Sequence, residues 1–115
     1  MNTVIISGRL NADPECSTKK NKNNEDQIMA KYTIVQSNTA GQGWKNDINF
    51  IPCICFGRTA EIAAEHLKQG KLVTVSGRFQ GKIIDGSEGK TFFANIIVDK
   101  QVFEPEKKEG DEMWR

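Results

Sequence analysis

Apolar residues recur at every second position in several short runs of this chain, the spacing of half-buried strands. Thr3–Leu10 alternates loosely and is stopped by Asp13-Pro14-Glu15, predicting a first strand. Residues 16–27, Cys-Ser-Thr-Lys-Lys-Asn-Lys-Asn-Asn-Glu-Asp-Gln, have no apolar period and read as a long mobile loop, basic and then acidic. Ile28–Gln36 is a second strand, with Tyr32 and Ile34 on one face and Lys31 and Thr33 on the other. Ser37–Asn46, with Gly41 and Gly43, is a loop that exposes Trp44 beside Lys45. The next run, Asp47–Gly57, breaks the pattern. Its even positions carry Phe50, Pro52, Ile54 and Phe56, its odd ones Ile51, Cys53 and Cys55, so it is apolar on both sides.

Arg58–Gln69 has the helical period, with Ile62, Ala63, His66 and Leu67 in one stripe, Thr59 as candidate cap and Gly70 past the end. Leu72–Phe79 is a strand with Val73 and Val75 inward. Asp85–Gly89 is a hairpin turn, and Thr91–Val98 returns as a strand. Residues 106–112 lack any packing pattern, and the end of the chain is predicted to be disordered. The expected organisation is one domain over residues 1–103 and a short charged tail over 104–115. Five strands with one helix between the third and fourth make an all-β oligonucleotide-binding barrel, the OB-fold.

A small antiparallel domain normally keeps one wet face per strand, so the two-sided run raises a question about its partner. One face fills the core. The other leaves Phe50 and Phe56 either as platforms for flat π-faced ligands, nucleobases first among them, or buried under a subunit interface. In an OB barrel the gripping face surrounds strands two and three and the loops after strands one and four, which favours the platform. Lys31 and Thr33 stand on the second strand, and Lys82 and Ile84 on the hairpin after the fourth.

Charge adds little. The net charge is +1, but residues 104–115 hold five acids and three bases, leaving ten acids and thirteen bases in the body. A moderately basic body permits a polyanion partner. The three cysteines are an odd set. Cys53 and Cys55, two apart on one strand face, are placed to be buried apolar residues rather than a bridge, which suits a reducing, cytoplasmic compartment. Val4-Ile5-Ile6 is too short an apolar run to serve as a leader, so none is expected, and no apolar run reaches membrane length.

Several motifs carry no chemistry. Gly89-Lys90-Thr91 resembles the end of a phosphate loop, but Ile84 stands where the earlier glycine belongs and a strand follows. His66, the single histidine, belongs to the helix stripe. Cys53 and Cys55 have no second ligand pair at zinc spacing, and Asp85 and Glu88 are turn residues. No metal, cofactor or catalytic set is expected. Lys19, Lys20 and Lys22 read as solvated, or as reaching along a strand. Arg78 points either to a ligand or to a surface ion pair.

The residues also resemble a known family, the bacterial single-stranded DNA-binding proteins. The resemblance rests on the opening Met1–Leu10 with Asp13-Pro14-Glu15, on Asn49–Cys53 with Phe56–Glu61, on Leu67–Gly70 and on Val75–Gln80, and it covers roughly residues 1–103. It implies an OB barrel, a homotetramer with a dimer as the other option, and single-stranded DNA bound without strong sequence preference. It would place bases on Phe50 and Phe56, and phosphates at Arg58, Lys82 and Lys68. The chain departs from the family at Ala40 and Ile84, where aromatics usually stand, leaving Ile84 as an aliphatic hairpin contact and Trp44 as a candidate substitute. Pro52 stands where some members have arginine, and the loop before the second strand is longer. The family's Gly- and Gln-rich linker and acidic Pro-Phe tip have no counterpart in residues 104–115, so tail-mediated recruitment is not implied. Lys31, Lys45 and Arg78 complete the expected backbone contacts. The expected function is protection of single strands in replication, recombination and repair, in a bacterial or phage-infected cell. The competing reading is a primosome-type assembly factor whose sheet contacts protein.

Overall fold

A computed structural model describes residues 1–38 and 47–104. Six strands and one helix run in the order β1 (Val4–Leu10), β2 (Glu15–Lys20), β3 (Asp26–Asn38), β4 (Asp47–Phe56), α1 (Gly57–His66), β5 (Leu72–Gly86) and β6 (Gly89–Phe103). Hydrogen-bonded neighbours follow β1-β5-β6-β4-β3, and β1 returns to β3 at Arg9↔Val35 and Leu10↔Ile34. Five strands therefore close a ring. All contacts round it are antiparallel except the parallel one between β4 and β6, at Cys53↔Ile96 and Ile54↔Ile97. No helix among the described residues is long and apolar enough to cross a membrane.

The sixth strand corrects the sequence reading. Residues 16–20, expected in a mobile loop, form β2 together with Glu15; the strand pairs with β3 from Glu15↔Lys31 to Lys20↔Asp26 and stands outside the ring. Every β2 side chain is exposed, so nothing in the strand needs an apolar period. Backbone pairing and a tight turn hold it instead. Asn21 Oδ1 accepts from the amides of Asn23 at 2.9 Å and Glu25 at 3.0 Å, Asn24 takes a left-handed φ of 63°, and Lys20 pairs with Asp26 at 2.9 Å.

The inward parities supply the core: Tyr32 and Ile34 from β3, Cys53 and Cys55 from β4, Val73 and Val75 from β5, and Ile96 and Val98 from β6. Helix α1 closes the barrel with Ala60 and Ala63, followed by Leu67. Thr59 is not the cap expected of it. The N-cap is Phe56, with no side-chain capping bond, and Gly57 makes the strand-to-helix corner at φ 65°. Thr59 instead offers its carbonyl to Gln101 Nε2 at 2.8 Å, while Tyr32 Oη donates to Gln101 Oε1 at 2.8 Å. One glutamine thus ties helix to barrel wall. His66 lies outside the buried stripe, its ring 5.7 Å from that of Phe103.

Burial pushes the Cys53 thiol up to about 12, with Cys55 adding to the effect, and burial pushes Cys55 up to about 11. Their sulfurs donate to the carbonyls of Ile51 and Ala30, at 3.6 and 3.7 Å. Both folded values lie above the ordinary thiol value of 9.0. The neutral thiols therefore stabilise the fold fully below that value, and the contribution is lost as pH rises through 11 to 12. At neutral pH a disulfide reagent is expected to modify exposed Cys16 in the native protein and all three thiols after denaturation. Fast native labelling of Cys53 or Cys55 would contradict the burial.

Candidate nucleic-acid interface

The register of β3 and β4 sets Met29, Lys31, Thr33 and Val35 beside Phe56, Ile54, Pro52 and Phe50, all on the outward face. Cys53 and Cys55 point the other way and are buried. Within one protomer the even parity of β4 is uncovered: Phe50 is 59% exposed and Phe56 37%. Phe56 is the more sheltered ring because its cross-strand neighbour Met29 is itself buried.

The second component is the β5–β6 hairpin. A register shift at Ser76/Gly77 re-aims the strands, which then run as a two-stranded arm to the turn between Gly86 and Gly89. Alternation divides the arm into two faces. Arg78, Gln80, Lys82 and Ile84 share one with Thr91, Phe93, Asn95 and Ile97; Phe79, Ile83 and Phe92 lie on the other. The parallel contact Ile54↔Ile97 makes the first face continuous with the outward face of β4.

Two recesses result. An open depression of about 340 Å³ is bordered by Phe56, Phe93, Lys19, Arg78 and Lys82 over Ile54 and Asn95. A smaller one of about 230 Å³, almost wholly apolar, lies between Phe50, Pro52, Phe79 and Ala94. Among the described residues, none of Lys19, Lys31, Arg78 and Lys82 is in an ion pair. Arg78 therefore faces the depression rather than closing a salt bridge. Lys31 shares its hollow with Asp13 and Glu15, which dilutes its positive field.

The sequence-expected residues divide accordingly. Phe50, Phe56, Lys31, Arg78 and Lys82 come together on one continuous surface. Ile84 lies farther out on the same face of the arm, 51% exposed. Arg58, on the first turn of α1, pairs with Glu61 at 3.5 Å. Lys68 follows the helix, and neither it nor Arg58 borders either recess. Ala40, Trp44 and Lys45 lie outside the described residues, as does the tail beyond Glu104. Sequence reasoning passed over Phe79, Phe92, Phe93 and the groove position of Lys19. A signal was present, since adjacent Phe92 and Phe93 on a strand must face opposite ways. Lys19 needed β2 to place it.

Comparison with known proteins agrees with this geometry. The model of the Single-strand binding protein family matches residues 1–103. Single-stranded DNA-binding protein 3 of Clostridium acetobutylicum is 31% identical over 102 residues, covering 89% of this chain and 69% of that protein. The single-stranded DNA-binding protein of Bacillus cereus is 30% identical over 115 residues, covering 97% of this chain and 65% of its own length. That of Oceanobacillus iheyensis is 31% identical over 103 residues, covering 89% and 62%. The chain thus spans roughly two-thirds of the length of these relatives. The closed ring of five strands, the outward aromatics of β4 and a match running from the first residue through β6 have one common explanation: this chain belongs to the single-strand binding protein family.

Proposed function

We propose that this chain binds single-stranded DNA with little sequence preference, through residues 1–103, and covers exposed strands during replication, recombination and repair in the cytoplasm of a bacterial or phage-infected cell. The observation that carries the reading is the pair of uncovered rings, Phe50 and Phe56, on a face that runs without a break into a cationic arm. A base laid on each ring gains about 1–3 kcal/mol. Lys31, Arg78 and Lys82 neutralise phosphates on the same path, with Arg58, Lys68 and Lys45 as outlying contacts and Trp44 as a further stacking ring. Each phosphate neutralised on a single strand contributes about −0.7 to the slope of log K against log salt. Neither interaction reads base identity. A duplex hides its base faces and keeps the charge interaction alone, which gives the selectivity for single strands.

Anisotropy titrations of labelled poly-thymidine and a matched duplex, at several salt concentrations, test this. Single strands are expected to bind at least about tenfold tighter, an advantage of stacking rather than charge. Equal affinity for both would overturn the reading. A second reading, an assembly factor acting through protein contacts, draws on the apolar face formed by Phe79, Ile83 and Phe92. Weak binding of both nucleic acids would favour it.

The binding unit is a homo-oligomer in this reading, a tetramer before a dimer. Ile5, Leu72 and Val102, 71%, 47% and 67% exposed, share an outward patch across β1, β5 and β6, and the β1 edge over Val4–Ile6 is paired on its β5 side. Edge pairing and apolar burial would cover both features at once. Ile5→Glu combined with Val102→Glu is expected to lower the mass seen by light scattering, and an unchanged mass would place the interface elsewhere.

A further inference from the structure

The two phenylalanines of β6 that stand side by side have opposite surroundings, and the difference assigns a role to one of them. Phe92 shares its face with Phe79 and Ile83, and the charges on that face are Asp85 and Lys90 at the tip, directly opposite one another. Phe93 is paired with Lys82, has Arg78 farther back on the same face, and borders with Phe56 the depression that Lys19 also lines. Its ring is 51% exposed. An open ring amid cations that have no ion-pair partner among the described residues is poorly suited to an apolar protein partner, which would have to desolvate those charges. It is well suited to a ligand that is both flat and anionic.

We infer that Phe93 is a base-stacking platform, working with Phe56 across the depression so that one DNA strand passes from β4 onto the hairpin, its phosphates following Lys19, Lys82 and Arg78. The inference rests on the single-strand reading above and adds to it a third ring and a direction for the strand. β4 and β6 meet at Ile54↔Ile97, directly beneath this path, so the two rings are held by paired strands rather than by a loop. Lys19 reaches the path because β2 is a strand and projects beyond the ring.

The test uses the full chain and poly-thymidine of fixed length. Phe93→Ala is expected to weaken binding about 5- to 100-fold with the salt slope unchanged, and Phe93→Trp to restore it, whereas Phe93→Leu stays weak because bulk without a π-face cannot stack. Phe92→Ala, one residue away on the other face, is expected to leave affinity within about twofold. An abasic strand of equal length should bind Phe93→Ala and wild type alike. Photocrosslinking with 5-iododeoxyuridine should give a peptide adduct at Phe93. Wild-type affinity in Phe93→Ala or Phe93→Leu, or an equal loss in Phe92→Ala, overturns the assignment. Should the alanine variant fail to fold, the leucine and tryptophan variants decide between the outcomes. Loss of binding in Phe50→Ala/Phe56→Ala with none in Phe93→Ala would sink this inference and leave the single-strand reading standing. Wild-type binding of single strand no tighter than duplex would sink both.

Discussion

Replacing Phe50 and Phe56 together by alanine is expected to weaken single-strand binding at least tenfold, since each stacked base contributes about 1–3 kcal/mol and about 1.4 kcal/mol is a factor of ten. The fold should survive. Both rings stand on the outward parity of β4, while Cys53 and Cys55, which build the core from that strand, are untouched. Phe56 is the ring with something to lose, because its flank is half covered, and its truncation should cost about 1 kcal/mol of stability. Since Lys19, Lys31, Arg78 and Lys82 remain, the dependence of affinity on salt should keep its slope and shift only in level. Duplex binding, which depends on charge, should hardly change. Anisotropy titrations at several salt concentrations check all of these together. Near-unchanged affinity would assign the rings to a protein interface.

A substitution remote from both rings is expected to have the other large effect. Gly77 stands at the register shift where β5 and β6 turn from barrel wall into arm. A Cβ there would run into the carbonyl oxygen of Ile97, and would lie 2.9 Å from the carbonyl carbon and 3.1 Å from Val98 Cα. These are backbone atoms of a paired strand, so no rotamer change relieves the clash. Gly77→Ala is expected to destabilise the fold by about 1–3 kcal/mol, the usual range for forced overpacking, and to lower the melting midpoint by several degrees. It should also weaken DNA binding, because Ile97, which it displaces, and Arg78, the next residue in the chain, both line the depression. Gly70 is the control: its φ is 87°, so alanine there is strained as well, but nothing lies within 4 Å of its Cβ, and it precedes the barrel-wall start of β5, the opposite end of that segment from the arm. A Gly70→Ala variant that loses stability while keeping DNA affinity, beside a Gly77→Ala variant that loses both, would separate the two effects.

What the sequence disclosed follows from where side chains must face. Tyr32 and Ile34 against Lys31 and Thr33, and both parities of Asp47–Phe56, were readable because alternation is forced by strand geometry. The OB-type order followed from those runs and the helix between them. β2 was hidden because a fully exposed strand carries no apolar period. Its evidence is the backbone register and the Asn21 turn, neither of which a hydropathy pattern records. Thr59 failed as a cap because Gly57 starts the helix early and leaves that residue inside the first turn. In the site, the resemblance pointed to Ile84 as the hairpin contact, but on that face of the arm the ring belongs to Phe93, on the returning strand. Arg58 and Lys68, expected as backbone contacts, border neither recess. Their separation from the recesses depends on how α1 sits under the barrel, which no local pattern encodes.

The wall of this molecule is fastened at two narrow places, β1 to β3 at Arg9↔Val35 and Leu10↔Ile34, and β4 to β6 at Cys53↔Ile96 and Ile54↔Ile97. Between them the chain forms two leaves, β2–β3–β4 and β1–β5–β6, each laced by long antiparallel ladders. Phe56 and Lys19 belong to one leaf, Phe93, Lys82 and Arg78 to the other. A polymer lying over the second fastening therefore acts as a clasp on a hinge, and a strand present at a hundred times its dissociation constant adds about 2.7 kcal/mol against opening. In such a molecule occupancy and rigidity rise together, and the bare protein is the one whose leaves part first.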